Sequence, residues 1–361
     1  MTKLTPEPVE RAWVDIDLAG LVRNARRFAA LVGGPLLPML KADGYGLGAT
    51  RVAGALEHVD PWGYGVASSA EGAELRAAGI TRPIIVFTPL LPDPAILAAT
   101  RRHGLRPVIG DLAALDGWLA AAGEPFHVEI DTGMSRSGFR WNEPDVLEAL
   151  RERLVRAPGW EGAFTHFHSA DRDPDSAREQ AQRLETVLRC LGKRPPLVHL
   201  ANSAAAGFPT VPRGDLARPG IYLYGGRAGA LRPEPVASLR ARVVALRRLR
   251  RGDTVSYGAE GLIEADTTIA TLAIGYADGV PRALSGRGRV ELGDAVVPVV
   301  GRVTMDMLMV AVADAPVKLG DVATLFGGRV SLDEQAELAG TVSYELLSRL
   351  TPRVARRYHE S

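Results

Sequence analysis

The sequence predicts an α/β protein in two parts, an N-terminal (β/α)8 TIM barrel over residues 10–230 and a C-terminal β-rich domain over residues 231–361. Residues 1–9 are expected to pack with the second part. Three observations lead there. The chain has 361 residues, more than one compact core usually holds. Across the first two-thirds, short apolar runs alternate with longer amphipathic stretches, the pattern of repeated strand–helix units. From about Pro233 the texture changes to Val-, Thr- and Gly-rich segments punctuated by Gly and Asp.

The barrel strands are expected at Leu36–Leu40, Gly63–Ala67, Ile84–Phe87, Arg106–Ile109, His127–Ile130, Gly162–Phe167, Leu197–His199 and Ile221–Tyr224. Between them, Leu18, Leu21, Val22, Ala25, Phe28 and Ala29 share one helical face, as do Val146, Leu147, Leu150 and Leu154. Eight such repeats over about 220 residues suit a closed barrel. A doubly wound sheet is the alternative, but no G-x-G-x-x-G follows the first strand. In the second part, strands are expected at Thr268–Ile274, Val296–Val300 and Val322–Phe326, with helices at Ser331–Leu338 and Tyr344–Leu350.

Apolar residues make up 46% and charged residues 24%, and 43 Lys plus Arg balance 42 Asp plus Glu, so no global field favours nucleic acid or an anionic membrane. The Arg-rich stretches Arg240–Arg251 and Arg353–Arg357 lack interleaved aromatics and read as solvated faces of strands or helices. The single cysteine, Cys190, excludes an internal disulfide and suits a reducing compartment; a buried, inert thiol is expected there. The opening residues carry no apolar h-region and no run reaches about 18 apolar residues, so a cytoplasmic protein is expected.

The sharpest motif is Met39-Leu-Lys-Ala-Asp-Gly-Tyr-Gly-Leu-Gly48. Lys41 closes the first expected strand, and in such barrels the C-terminal strand ends face the active site. A lysine there either reaches water or does chemistry, because burying its charge unpaired is costly. Desolvation would also ease loss of its proton, which suits an amine that attacks a carbonyl. By position alone a snorkelling lysine is the plainer reading.

The whole decapeptide resembles the cofactor-lysine motif of the alanine racemase family. The resemblance implies pyridoxal 5'-phosphate bound covalently at Lys41, with Tyr45 on its phosphate. Leu47 stands where the family usually has His, a departure expected to matter little. Further motifs follow in register. Asp131-Thr-Gly-Met-Ser-Arg-Ser-Gly138 supplies Arg136, which the resemblance places near the cofactor's phenolic oxygen and the substrate carboxylate, acceptors a guanidinium fork suits. Thr165-His-Phe167 carries His166, Ala201-Asn-Ser-Ala204 carries Asn202 and Ser203, and Arg218-Pro-Gly-Ile221 follows. Ser203 and the amides of Gly220 and Ile221 are implied to cradle the phosphate, with Asn202 supporting that loop. Arg218 is implied to face the pyridine nitrogen. An arginine donates there without giving up its proton, which weakens the ring as an electron sink and suppresses transamination.

Within the β-rich part, Ala273-Ile-Gly-Tyr-Ala-Asp-Gly279 resembles the segment that carries the family's second base, Tyr276. Racemisation removes a proton from one face of a carbon and delivers one to the other, so two bases are expected, Lys41 and Tyr276. A phenol needs help to ionise near neutrality, and the resemblance implies a network through His166, Arg218 and His199. Gly301-Arg-Val-Thr-Met-Asp306 is implied to bring the Met305 amide to the substrate carboxylate, with Asp306 ordering the loop; the family commonly has a small residue at Thr304. Tyr344 is implied to touch the phosphate and narrow the entrance. No metal is implied.

Together these imply an isomerase interconverting L- and D-alanine for peptidoglycan. The implied form is a homodimer in which Tyr276 and the Met305 loop complete the partner's site, an isologous arrangement. Racemisation of serine or another small amino acid on the same scaffold stays open; Tyr344 argues against large side chains. A related decarboxylase would set a glutamate against the ring nitrogen, and a single-barrel cofactor carrier would lack the β-rich part. Many relatives carry, where Glu129 stands, a lysine that carbon dioxide converts to an anionic carbamate holding the arginine equivalent to Arg136. Glu129 brings the negative charge unaided. Racemisation rates measured in bicarbonate-depleted and bicarbonate-supplemented buffer are therefore expected to agree; stimulation by bicarbonate would refute this.

Overall fold

A computed structural model describes residues 10–121, 125–313 and 315–360, and the expectation for residues 1–9 lies outside them. The chain divides into two compact units, Leu21–Glu234 and a second formed by Pro235–Ser361 with the described residues up to Gly20.

In the first unit, strands Tyr64–Val66, Ile84–Pro89, Arg106–Ile109, Phe126–Asp131, Trp160–Phe164 and Leu197–His199 lie side by side in chain order, all parallel. Their residues are buried almost without interruption, all six in Phe126–Asp131, because a parallel sheet is covered on both faces. Asp and Ser caps set where the intervening helices start. Ser68 and Glu71 form a reciprocal capping box on Ser69–Ala77, Asp93 caps Pro94–Arg102, Asp111 caps Leu112–Ala120 and Asp173 caps Pro174–Cys190.

Two expected strands differ. Leu36–Leu40 is extended but makes only isolated parallel bridges, Leu36 to Ala217 and Met39 to Gly65. Pro38 in this run and Pro219 beside it have no N–H to give a ladder. The eighth strand is not Ile221–Tyr224, which forms a turn in which Leu223 N–H donates to Gly220 O and Tyr224 N–H to Ile221 O. The closing segment is residues 214–218, joined to His199 through Gly214 and to Leu36 through Ala217. The four apolar residues at 221–224 are all buried, and periodicity cannot separate a buried turn from a buried strand. Leu37, Ile85, Val108, Phe164 and Leu216 fill the interior, with Trp62 and Phe87 packed against them.

Cys190 is exposed, contrary to expectation. It ends its helix on the solvent side, while Leu184, Val187, Leu188 and Leu191 form the buried stripe.

The second unit is built on the 13-residue strand Ala237–Leu249, whose first seven residues alternate between buried and half-buried. It pairs antiparallel with Thr267–Leu272, Val322–Phe326 and Ala12–Asp17, and the last also pairs parallel with Ala355–His359. The first described strand thus lies in this sheet and not in the barrel, whose start had been set at residue 10. Side-chain fit decides this pairing. Trp13 lies under the guanidinium groups of Arg242 and Arg357, at 5.2 and 4.3 Å. Most of the Arg-rich stretches lie on strands, as expected, through Leu249 in the first and from Ala355 in the second, whereas Arg250, Arg251 and Arg353 lie in the adjoining turns. Strands Ala295–Pro298 and Leu308–Ala313 and helices Leu332–Leu338 and Ser343–Ser348 complete the larger elements. No helix among the described residues is long and apolar enough to cross a membrane.

Ile85 is fully buried in the barrel core. Ile85→Ala is expected to lower stability by about 2–5 kcal/mol in denaturant unfolding; a loss under about 1 kcal/mol would refute that packing.

Candidate active site

Lys41 opens a left-handed turn. Ala42, Asp43, Gly44 and Tyr45 have φ of 54°, 54°, 60° and 57°. Only Gly44 takes that region at no steric cost; each of the others costs about 1–2 kcal/mol. Hydrogen bonds offset the strain. Gly44 N–H donates to Leu40 O (2.8 Å), Gly46 N–H to Ala42 O (2.7 Å), and Ala49 N–H to Asp43 Oδ1 (2.7 Å). Ala42 N–H donates to Glu71 Oε1 at 2.8 Å, while Glu71 Oε2 accepts from Ala67 N–H at 2.7 Å. The carboxylate that caps one helix thereby also pins the lysine turn. Desolvation holds the Lys41 amine below the ordinary lysine range, helped by the charges of Arg136 and Arg218 and opposed by Glu71.

Beside the turn, Tyr45, Ser203 and the backbone of residues 218–221 meet. Met39 N–H donates to Pro219 O at 2.9 Å, which sets the lysine strand against residues 218–221. A Cβ on Gly220 would stand 2.3 Å from Tyr45 Oη, so only glycine lets the phenol and this backbone meet. Gly220 N–H donates to Ser203 Oγ at 2.8 Å. Asn202 Oδ1 accepts from the Ala204 and Ala205 amides at 3.1 and 2.9 Å, closing the loop that presents Ser203. Tyr224 stacks on Tyr45 at 4.4 Å and donates its hydroxyl to Met39 O at 2.7 Å. Ser203, Gly220, Ile221 and Tyr45 are all buried.

Arg218 is 4% exposed. Its Nη1 donates to His199 Nδ1 (3.0 Å) and His199 O (2.6 Å), and its Nη2 to Thr165 O (2.9 Å) and Leu200 O (3.2 Å). Burial lowers its pKa to about 10, with the charge of Glu129 opposing, so it stays cationic at neutrality. His166 is pushed down to about 3 by burial and by the charges of Arg218, Arg136 and Lys41, and is neutral. The expected link from His166 to Arg218 is not a hydrogen bond to the terminal nitrogens, because carbonyls and His199 already take them.

Strand Phe126–Asp131 places His127, Glu129 and Asp131 on one face by its period of two. Asp131 Oδ1 accepts from the Gly133 and Ser135 amides, both at 3.0 Å, shaping the loop that carries the exposed Arg136. Glu129 accepts from Ser137 Oγ at 2.8 Å and so meets this loop one residue beyond Arg136, not at Arg136 itself. Burial raises the Glu129 pKa, opposed by the Ser137 hydrogen bond and the charges of Arg136 and Arg218.

In the second unit, Tyr276 N–H donates to Thr304 O and Ala277 N–H to Met305 O, both at 3.0 Å. Arg353 pairs with Asp278 (3.2 Å) and Asp306 (2.5 Å), and the fully buried Asp278 also takes Arg11 (2.5 Å). The Tyr276 and Met305 loops are thus one body, with Asp306 in its ion-pair network. Tyr276 is 38% exposed, Met305 53% and Tyr344 45%. Met305 N–H has no partner among the described residues.

Known proteins match this arrangement over nearly its whole length. The model of the alanine racemase N-terminal domain matches residues 16–228, and that of the alanine racemase C-terminal domain residues 236–358. The chain belongs to the alanine racemase family. An alanine racemase from Deinococcus radiodurans is 38% identical over 355 residues, covering 96% of this chain and 99% of the relative. The structure of a biosynthetic alanine racemase from Pseudomonas aeruginosa superposes with a TM-score of 0.88 at 34% identity, over 97% of this chain and 100% of that one. An alanine racemase from Bartonella henselae with covalently bound pyridoxal phosphate superposes with a TM-score of 0.90 at 26% identity, again over 97% and 100%. The reaction is interconversion of L- and D-alanine, and serine gains no support from these relatives.

Sequence reasoning missed the roles of the residues that bind the loops carrying the expected site residues: Glu71, Asp131, Ser137, Asp278 and Arg353. Ser68-x-x-Glu71 announced a helix start, but nothing local told that its carboxylate also reaches Ala42. The four lysines of the sequence make the amine testable. In the 13C spectrum of the dimethylated protein without added cofactor, Lys41 is expected to titrate below the other lysines; a midpoint at or above about 10.4 would contradict the site's electrostatics.

Proposed function

We propose that this enzyme racemises alanine with pyridoxal phosphate held on Lys41, by two bases, as a homodimer with composite sites. The observation that carries the reading is the Gly220–Ser203–Tyr45 cradle beside a lysine whose proton is loosened. A dianionic phosphate suits a pocket of backbone amides, a serine and a phenol, and the amine suits an aldehyde. When bound, the cofactor supplies an electron sink for the electrons left by the α-proton.

Arg218 presents a permanent cation to the ring nitrogen. Arg136, on the loop held by Asp131 and by Glu129 through Ser137, takes the cofactor's phenolic oxygen and the substrate carboxylate. Lys41 Nζ exchanges the α-proton on one face and Tyr276 Oη on the other. Neutral His166 hands no extra positive charge to the site. The Met305 amide receives the substrate carboxylate, and Tyr344 limits side-chain size and meets the phosphate. Support for an assembly comes from Tyr276, Met305 and Tyr344, the three residues that the family resemblance assigns to the site, being substantially exposed on their own unit and so open to a partner. In this reading Tyr276, Met305 and Tyr344 of one subunit serve the barrel of its partner. The role is supply of D-alanine for peptidoglycan, in the cytoplasm.

Lys41→Ala and Tyr276→Phe are each expected to lower exchange of the alanine α-proton with solvent deuterium by at least about 10²–10⁴-fold, the usual weight of a general base. Lys41→Ala should also abolish the visible absorption acquired on adding pyridoxal phosphate. Mixing the two inactive proteins after reversible dissociation should restore activity, since each heterodimer regains one intact site. No recovery would place both bases in one chain, and unchanged absorption in Lys41→Ala would remove the cofactor assignment.

A further inference from the structure

Behind Arg218 a second polar chain crosses the barrel interior. His199 Nε2 lies 2.9 Å from His127 Nδ1, and His127 Nε2 lies 3.1 Å from Glu161 Oε2. The same carboxylate oxygen accepts from Arg106 Nε at 2.6 Å. The two imidazoles are fully buried. Phe164 stacks on His199 (4.8 Å, 14°), Phe87 meets it edge-on (6.3 Å), and Trp62 meets His127 edge-on (6.0 Å). A Cβ on Gly162 would stand 2.1 Å from His127 Nδ1, so glycine at that position is what leaves room for the His127–His199 bond.

The ends of this chain settle its direction. A carboxylate only accepts and a guanidinium only donates. His127 therefore carries its hydrogen on Nε2, toward Glu161, and its Nδ1 accepts. His199 must then donate from Nε2, and its Nδ1 is left to accept from Arg218. The neutral state needed at both rings is the one burial enforces: it lowers the pKa of each, with the charge of Arg218 adding to the effect at His199. With either ring in the other tautomer, two buried donors would face each other at about hydrogen-bond distance.

We propose that Glu161 is a positioning residue for the active site: by accepting from His127 it fixes the tautomers of both histidines and keeps His199 Nδ1 an acceptor for Arg218. All four terminal N–H groups of Arg218 are then held by the barrel wall, and Nε–H is the guanidinium donor left for the pocket. A half-satisfied buried network would be worse than an apolar one, so the far carboxylate is what makes this one tolerable. The inference rests on the reading of Arg218 as the cation facing the cofactor, but the tautomers belong to the chain alone.

The test is the long-range 1H–15N spectrum of the histidine-labelled protein, before and after adding pyridoxal phosphate, with His127→Asn and His199→Asn for assignment. Both rings are expected as single Nε2–H tautomers that do not titrate between about pH 6 and 8. Glu161→Leu leaves the buried His127 Nε2–H without an acceptor, a penalty of the same order as the donor–donor contact at Arg218 that opposes the reversed direction, and should give mixed tautomers at both rings, with kcat lower by roughly 10–100-fold and KM little changed. Glu161→Gln keeps an oxygen acceptor and should restore the single tautomers and most of the turnover. A wild-type His199 protonated on Nδ1, or a Glu161→Leu protein with unchanged tautomers, would overturn the proposal. The wild-type spectrum decides even where that variant fails to fold. Correct tautomers in a protein that binds no pyridoxal phosphate would uphold the relay and remove the cofactor reading; bound cofactor with wrong tautomers would do the reverse.

Discussion

A guanidinium buried in the barrel is the constraint on which the site depends. Placing Arg218 in an apolar interior is tolerable only because every terminal N–H finds an acceptor and Glu129 contributes an opposing charge. Those acceptors are the carbonyls of His199, Leu200 and Thr165, at or just past strand ends, and the Nδ1 of His199, so the arginine is solvated by the barrel wall itself. The cation in turn sets the protonation of its neighbours. It adds to burial in keeping His166 and His199 neutral and in loosening the Lys41 proton.

Strain sits beside this centre. Three non-glycine residues in left-handed conformation after Lys41 would not persist in an isolated loop. Here they are over-determined by Glu71, Asp43 and the carbonyls of Leu40 and Ala42. The turn brings Tyr45 back against Gly220, so one backbone device sets the places of both the Lys41 amine and the Tyr45 phenol.

The second unit uses ion pairs for the same purpose. Asp278, fully buried, accepts from Gly275 N–H at 2.9 Å and takes two arginines. Because Arg353 also holds Asp306, the loops bearing Tyr276 and Met305 move together. Loops held together in this way keep their side chains and amides in fixed relation to one another.

Much of this was legible in the residues themselves. The β-rich texture after Pro233 and the strand–helix alternation were enough for the fold class, because apolar spacing and glycine placement are local patterns; Lys41, Tyr45, Ser203, Gly220 and Arg218 were singled out by the resemblance of their motifs to the family's. Tertiary structure alone decided which segment closes the barrel, that Ala12–Asp17 joins the other sheet, that Cys190 faces solvent and that Glu129 accepts from Ser137. It also brought Glu71 to Ala42 and lined up Arg218, His199, His127 and Glu161. The physical reason is range: period and propensity report on neighbours along the chain, whereas hydrogen-bond saturation of a buried charge is settled between residues tens of positions apart.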